Sequence, residues 1–152
     1  EYMEAAQLAL QAGLPAEAVR VLERGYQAGV LGSGPEAPRQ QRLRELAKRQ
    51  LAEAQASTAA RAASAAGEPA GEELVKVGYA LASLGDADRG IALMRQGIAK
   101  GGLKRPDEAK LHLGMAELAA PAHKAAGVQT LKSVKGRDGS GDLARLWLLA
   151  SR

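Results

Sequence analysis

The 152 residues contain no cysteine and no phenylalanine, and the aromatic complement is three Tyr and one Trp. Without Cys there is no disulfide, no thiolate nucleophile and no sulfur ligand for a metal, a composition compatible with a bacterial periplasm or with a cytoplasm. No apolar run approaches the ~20 residues of a membrane-spanning helix. Strand-favouring residues are sparse, and no stretch alternates apolar with polar side chains over a useful length, which argues against a sheet. The HExxH, GxSxG and GK[ST] signatures are missing as well. His112 and His123 stand eleven residues apart with Pro121 between them, so a metal site would have to recruit distant carboxylates. The glycine clusters at 29–34 and 136–141 follow no strand and read as turns. The acidic pairs Glu72-Glu73 and Asp107-Glu108 fall in first helical turns, where the helix dipole accounts for them without catalysis. No cofactor is expected.

What the chain does have is Ala, Leu and Gly in helical periodicity, and the composition predicts an all-α fold. Its most informative feature is a recurrence. Gly78 to Ile98 reads GYALASLGDADRGIALMRQGI, and Gly114 to Val134 reads GMAELAAPAHKAAGVQTLKSV, with start points 36 residues apart. A shorter version, AQLALQAGLPAEAVRVLERGY, spans Ala6 to Tyr26. The units fall at about 1–34, 72–104 and 107–138, each a pair of helices about a turn at Gly13, Gly85 or Pro121. Pro15 and Pro106 suit first helical turns, where a missing N–H costs nothing. Residues 36–66 form an atypical segment, charged and amphipathic at first, with Leu43, Leu46, Ala47, Leu51 and Ala54 on one face. It then becomes almost pure Ala, Ser and Thr, which reads as one long helix or two abutting ones, a disordered linker being the rival. A last helix at 142–151 carries Leu143, Leu146, Trp147 and Leu149.

Antiparallel helices approach closely only where one side chain per crossing is small. The alignment places Gly78, Gly90 and Gly97 there in the second clear unit. Gly114, Ala126 and Ser133 take those positions in the third, and Ala6, Ala18 and Gly25 in the first. This pattern resembles the tetratricopeptide repeat (TPR) family, over residues 1–28 and 72–134. Rival readings are a Sel1-like array or a generic bundle. The large helix-A aromatic of the family is missing: Leu81 and Glu117 occupy its place, and Glu117 is a departure that would weaken the third unit or shift its helix. The resemblance implies a single TPR-like domain over 1–152, a right-handed superhelical array of antiparallel helix pairs. The 142–151 helix would cap the last pair, with Trp147 buried beneath it.

It also implies a function, non-enzymatic protein–protein interaction or assembly, with a partner segment docked on the helix-A surface. Carried over residue by residue, that surface centres on Val75, Tyr79, Leu111, Met115 and Leu118, mostly apolar. It lacks the cationic groups with which some members of the family hold a peptide carboxylate, so the expected partner is an apolar or helical protein segment, or another part of a longer chain. Alternative readings are a structural section of a longer repeat scaffold and an accessory domain of a larger enzyme; a chain opening on Glu1 rather than Met reads as a fragment. A secondary basic surface is expected at Arg39, Arg42, Arg44, Lys48 and Arg49, partly compensated by Glu45 at helical spacings from Arg42 and Arg49. Net charge is +4. Residues 1–34 sum to −2 and residues 103–152 to +4, too little and too dispersed for a nucleic-acid interface.

Overall fold

The computed structural model describes Glu1–Ser151, and every regular element among these residues is helical. The order is α1 (Tyr2–Gln11), α2 (Pro15–Gln27), α3 (Ala37–Gly67), α4 (Glu72–Ser83), α5 (Ala87–Lys100), α6 (Pro106–Ala119), a 3-10 turn (Pro121–His123), α7 (Lys124–Lys132) and α8 (Ser140–Ala150). The protein is all-α, with the helices packed against their neighbours in sequence. Two compact units are present, the first over Glu1–Ser57 and the second from Thr58 onward. Residues 37–67, open between helix and linker in the sequence, are one continuous α-helix.

In the first unit α1 and α2 form an antiparallel hairpin. The turn between them uses Gly13 at φ 72°, a left-handed conformation that a Cβ would strain. The core joins Ala6, Ala9, Ala18 and Leu22 to Ala47 of α3, with Leu43 packed alongside.

The second unit repeats that hairpin twice. The α4–α5 turn reuses the left-handed glycine, Gly85 at φ 94°. A Cβ on Gly78 would stand 2.6 Å from Gly90 O and 2.7 Å from Met94 Cγ, and one on Gly90 would stand 2.4 Å from Gly78 O. Such distances mean backbone against backbone, which only glycine permits. Between α6 and α7 a Cβ on Gly114 would meet Leu131 at 2.6 Å, and one on Gly127 would meet Leu118 N at 2.8 Å and Gly114 O at 3.0 Å.

The close-packed residue of α7 is therefore Gly127, not the Ala126 expected from the alignment. Likewise Val134 is buried while Ser133 is exposed. The reason is the 3-10 turn after Ala120, which replaces the glycine turn of the other hairpins and adds one residue. Helix-A positions recur at 36 residues (78 to 114), but helix-B positions at 37 (90 to 127, 94 to 131).

The Ala-rich half of α3 also has a structural role. Ala62 and Ala65 are buried against Leu74, Val77 and Leu81 of α4, with Ala59 and Leu93 adjoining. Short side chains let this long helix lie close to the hairpin, and Arg61 adds an ion pair to Glu73 at 2.6 Å. The final helix begins earlier than expected, at Ser140, and buries Ala144 and part of Leu148 against Leu111, Leu131 and Val134. Trp147, expected beneath it, is instead 41% exposed.

Candidate functional site

The five residues expected to form one partner-binding surface are divided by the second unit between two places. Val75 of α4 is 7% exposed, buried with Ile91, Met94, Ala109 and Leu113, and Tyr79 packs at the edge of the same cluster. Leu111 of α6 is 4% exposed in a separate cluster, with Met115, Leu118 and Leu148 of α8 beside it. The physical reason lies in the repetition itself. Val75 and Tyr79 mark the face that α4 turns to α6. Leu111 and Met115, 36 residues on, mark the face that α6 turns to α8. Positions equivalent by repeat thus bury successive helix-A junctions, and α8 covers Leu111, Met115 and Leu118.

The first junction opens into a cleft. It has a volume of ≈ 450 Å³ between α4 and α6, with the α5–α6 loop along one side. Its apolar wall comes from Val75, Leu103 and Ala109. Tyr79 and His112 stack within it, ring centroids 4.7 Å apart and planes at 27°. The charged rim is Glu72, Lys76, Lys104, Arg105 and Glu108. Glu72 orders this rim: one carboxylate oxygen accepts the backbone N–H of Lys104 at 3.0 Å, and the other lies 3.8 Å from Lys76 Nζ. Arg105 pairs with Glu108 at 3.2 Å. Two of the three cations are thereby neutralised, while the Lys104 ammonium has no ion pair among the described residues. Sequence reasoning found Val75 and Tyr79 but not His112, Leu103 or Lys104; the spacing of His112, four residues before Ala116 on the face α6 turns to α4, was the available signal.

Comparisons with protein-family models, with curated proteins and with solved structures find no match.

The basic run on α3 is not a free cationic surface. Arg44 and Lys48 both turn to Glu23 of α2, with Arg44 Nη2 at 2.6 Å and Lys48 Nζ at 2.9 Å. Arg44 also lies over the Tyr26 ring, 4.3 Å from its centroid, in cation–π geometry. Hydrogen bonds from Arg44 and then Lys48 hold the Glu23 carboxyl down to a pKa of about 2, and Glu23 in turn raises that of Arg44. Arg39 pairs with Glu36 at 3.5 Å. Glu45 accepts a hydrogen bond from Gln41 at 3.0 Å rather than pairing with Arg42 or Arg49, and these two remain solvated. Two of the five, Arg44 and Lys48, form a clamp between α2 and α3.

Glu117, the departure from the repeat pattern, lies within an unbroken α6. It is 1% exposed in the place where α4 has Leu81. Its Oε1 accepts from Arg95 Nη2 at 2.6 Å and Nε at 3.1 Å, and its Oε2 accepts from Thr130 Oγ1 at 2.6 Å. A buried carboxylate survives when both oxygens are satisfied by charged or polar donors. Among the described residues no group of three or more His, Asp or Glu side chains is placed to hold a metal, and no helix is long and apolar enough to cross a membrane.

Proposed function

We propose that this chain is a TPR-like, non-enzymatic module of protein–protein interaction or assembly, and that it docks a partner segment on the helix-A surface at the α4–α6 cleft. The reading is supported by the repeated hairpin with glycines at the helix crossings and by the cleft with its stacked Tyr79 and His112. That stacked pair carries the proposal. An aromatic platform beside an apolar wall, rimmed by ordered charges, suits a bulky apolar side chain of a protein or peptide, with the rim fixing its orientation. Tyr79 contributes contact area at low entropic cost. Leu111, Met115 and Leu118 have no part in that surface, since α8 covers them.

The test is selection of peptides on the immobilised 152-residue chain, followed by calorimetric titration of the recovered peptides against Tyr79→Asp and Lys104→Glu. Affinity should fall at least tenfold for Tyr79→Asp and less for Lys104→Glu. Peptides that bind wild type and Tyr79→Asp equally would remove the cleft from the account.

A second reading, a structural section of a repeat scaffold, is favoured by a different observation. The outward side of α8 exposes Leu143, Leu146, Trp147 and Leu149, more apolar surface than a helix facing only water normally presents.

A further inference from the structure

No cation stands at Val75 or Tyr79 themselves, yet the fold brings cations to the α4–α6 cleft from beside them. Lys76 follows Val75 on α4, and Lys104 and Arg105 come from the loop that leads into α6.

The cleft has two unlike ends. Glu72 of α4 accepts the backbone N–H of Lys104 at 3.0 Å, and two turns further on Tyr79 stacks on His112 of α6. The two helices therefore run the same way along the cleft. The charges gather where both helices begin, and the rings lie about 10 Å farther in, seven residues along α4. Val75, Leu103 and Ala109 make the apolar wall. Lys76 belongs with the charged end, because a helical side chain leans toward the helix N-terminus and its Nζ sits beside Glu72.

Hydrogen bonding at the charged end is lopsided. Both carboxylates are engaged, Glu72 by the Lys104 N–H and by Lys76, and Glu108 by Arg105 Nη1 at 3.2 Å. The cations are not matched in turn. Lys76 Nζ, 3.8 Å from Glu72 Oε1, is within ion-pair range but beyond hydrogen-bond reach. The Lys104 ammonium has no partner among the described residues. Three cations thus face two carboxylates, and both lysines are exposed. The adjoining acids are committed elsewhere, Glu73 to Arg61 at 2.6 Å and Asp107 to the backbone N–H of Lys135 at 3.4 Å. The surplus at this end is positive charge and N–H donors, and the shortage is acceptors.

We propose that the segment docked in this cleft is acidic. It is an internal stretch of a partner protein that sets an apolar or aromatic side chain on the Tyr79–His112 pair. It carries Asp or Glu side chains on one side of that anchor, within about 10 Å, where they meet Lys76 and Lys104. The inference rests on the docking reading of the cleft given above. Both lysines stand at the exposed mouth, so the chain that brings the carboxylates runs on past them. Each exposed pair adds little affinity, but a segment of like charge is turned away. The rings set how tightly a segment binds, and the lysines set which segments do.

The probe is a library of random peptides displayed with both ends fused, selected on the immobilised 152-residue chain. Recovered segments are synthesised with acetylated and amidated ends and titrated calorimetrically, beside versions in which every Asp and Glu is replaced by Asn or Gln. Acids should be enriched on one side of an apolar anchor. The neutral versions should bind about threefold to tenfold more weakly at low salt, and the difference should shrink at high salt. On the double variant Lys76→Gln/Lys104→Gln, which should fold because both side chains are exposed, acidic and neutral versions should bind alike. Peptides that lose affinity for Tyr79→Asp but are indifferent to the loss of their acids overturn this inference and leave docking in the cleft standing. So does an acid preference that survives undiminished in Lys76→Gln/Lys104→Gln. Peptides that bind Tyr79→Asp as they bind wild type, or a selection that recovers none, remove the docking reading and this inference together.

Discussion

Replacing Arg95 with alanine is the sharpest test of how the second unit holds together. The guanidinium supplies both donors to Glu117 Oε1, and Glu117 is 1% exposed. Removing one partner of a buried ion pair costs about 3–5 kcal/mol, because the other charge is left without compensation in a poorly solvated site. The Arg95 side chain is itself 48% exposed, so water entering its space offsets part of that loss, which puts the expected cost at the lower end, about 3 kcal/mol. Glu117→Leu installs the residue that α4 carries at Leu81. Exchanging a buried pair for a well-packed apolar side chain is neutral or stabilising by about 1–4 kcal/mol. In that background Arg95→Ala should cost no more than about 0.5 kcal/mol, as at an ordinary surface position. Urea denaturation followed by circular dichroism, run on the wild type, both single variants and the double, gives the coupling directly, expected at about 2–3 kcal/mol. Equal cost of Arg95→Ala in both backgrounds would refute the reasoning, since the arginine would then act by something other than Glu117.

Gly127→Ala should destabilise by about 1–3 kcal/mol despite the better helix propensity of alanine, because the new Cβ overpacks the helix crossing; thermal melts would register it, and a stabilised variant would contradict the register given above. The Glu23 clamp predicts a pH dependence of definite sign. A carboxyl lowered from 4.5 to about 2 in the folded protein contributes stability that is fully present above 4.5 and is lost as pH falls towards 2. Wild type should therefore melt above Glu23→Gln at pH 7 and alongside it near pH 2, and a gap that persists unchanged in acid would contradict the clamp.

Much of the fold was legible because it rests on residue size and helical period. The all-α class, the Pro15 and Pro106 starts, the Gly13 and Gly85 turns and the Gly78/Gly90 crossing all follow from local chemistry visible in one dimension. The register of α7 did not, because a one-residue insertion at the Pro121 turn leaves the flanking residues, Ala126 and Gly127, both small enough to fit the pattern. The capping helix implied by the repeat resemblance puts Trp147 beneath it, yet the buried face of α8 is set by Ala144, which lets it approach Leu111. The candidate surface was half legible. Val75 and Tyr79 border the cleft, but Leu111 and Met115, equivalent to them by repeat, lie against α8, a packing that the spacing does not reveal. The basic run read as solvated because Glu23, which takes up Arg44 and Lys48, is 21 residues from Arg44 in sequence.

The 3-10 turn at Pro121–His123 bears on how such a chain accumulates change. The α6–α7 hairpin takes in an additional residue and still brings Gly127 onto the backbone of α6, because the slack is absorbed where the helices reverse rather than where they touch. Insertions at that reversal are nearly silent for the crossing, whereas a single methyl group at Gly78, Gly90 or Gly127 is not. Lineages of this chain should therefore drift in the length of their units while keeping glycine at the crossings. A comparison that demands a fixed spacing would lose their common descent before one that follows the crossings does.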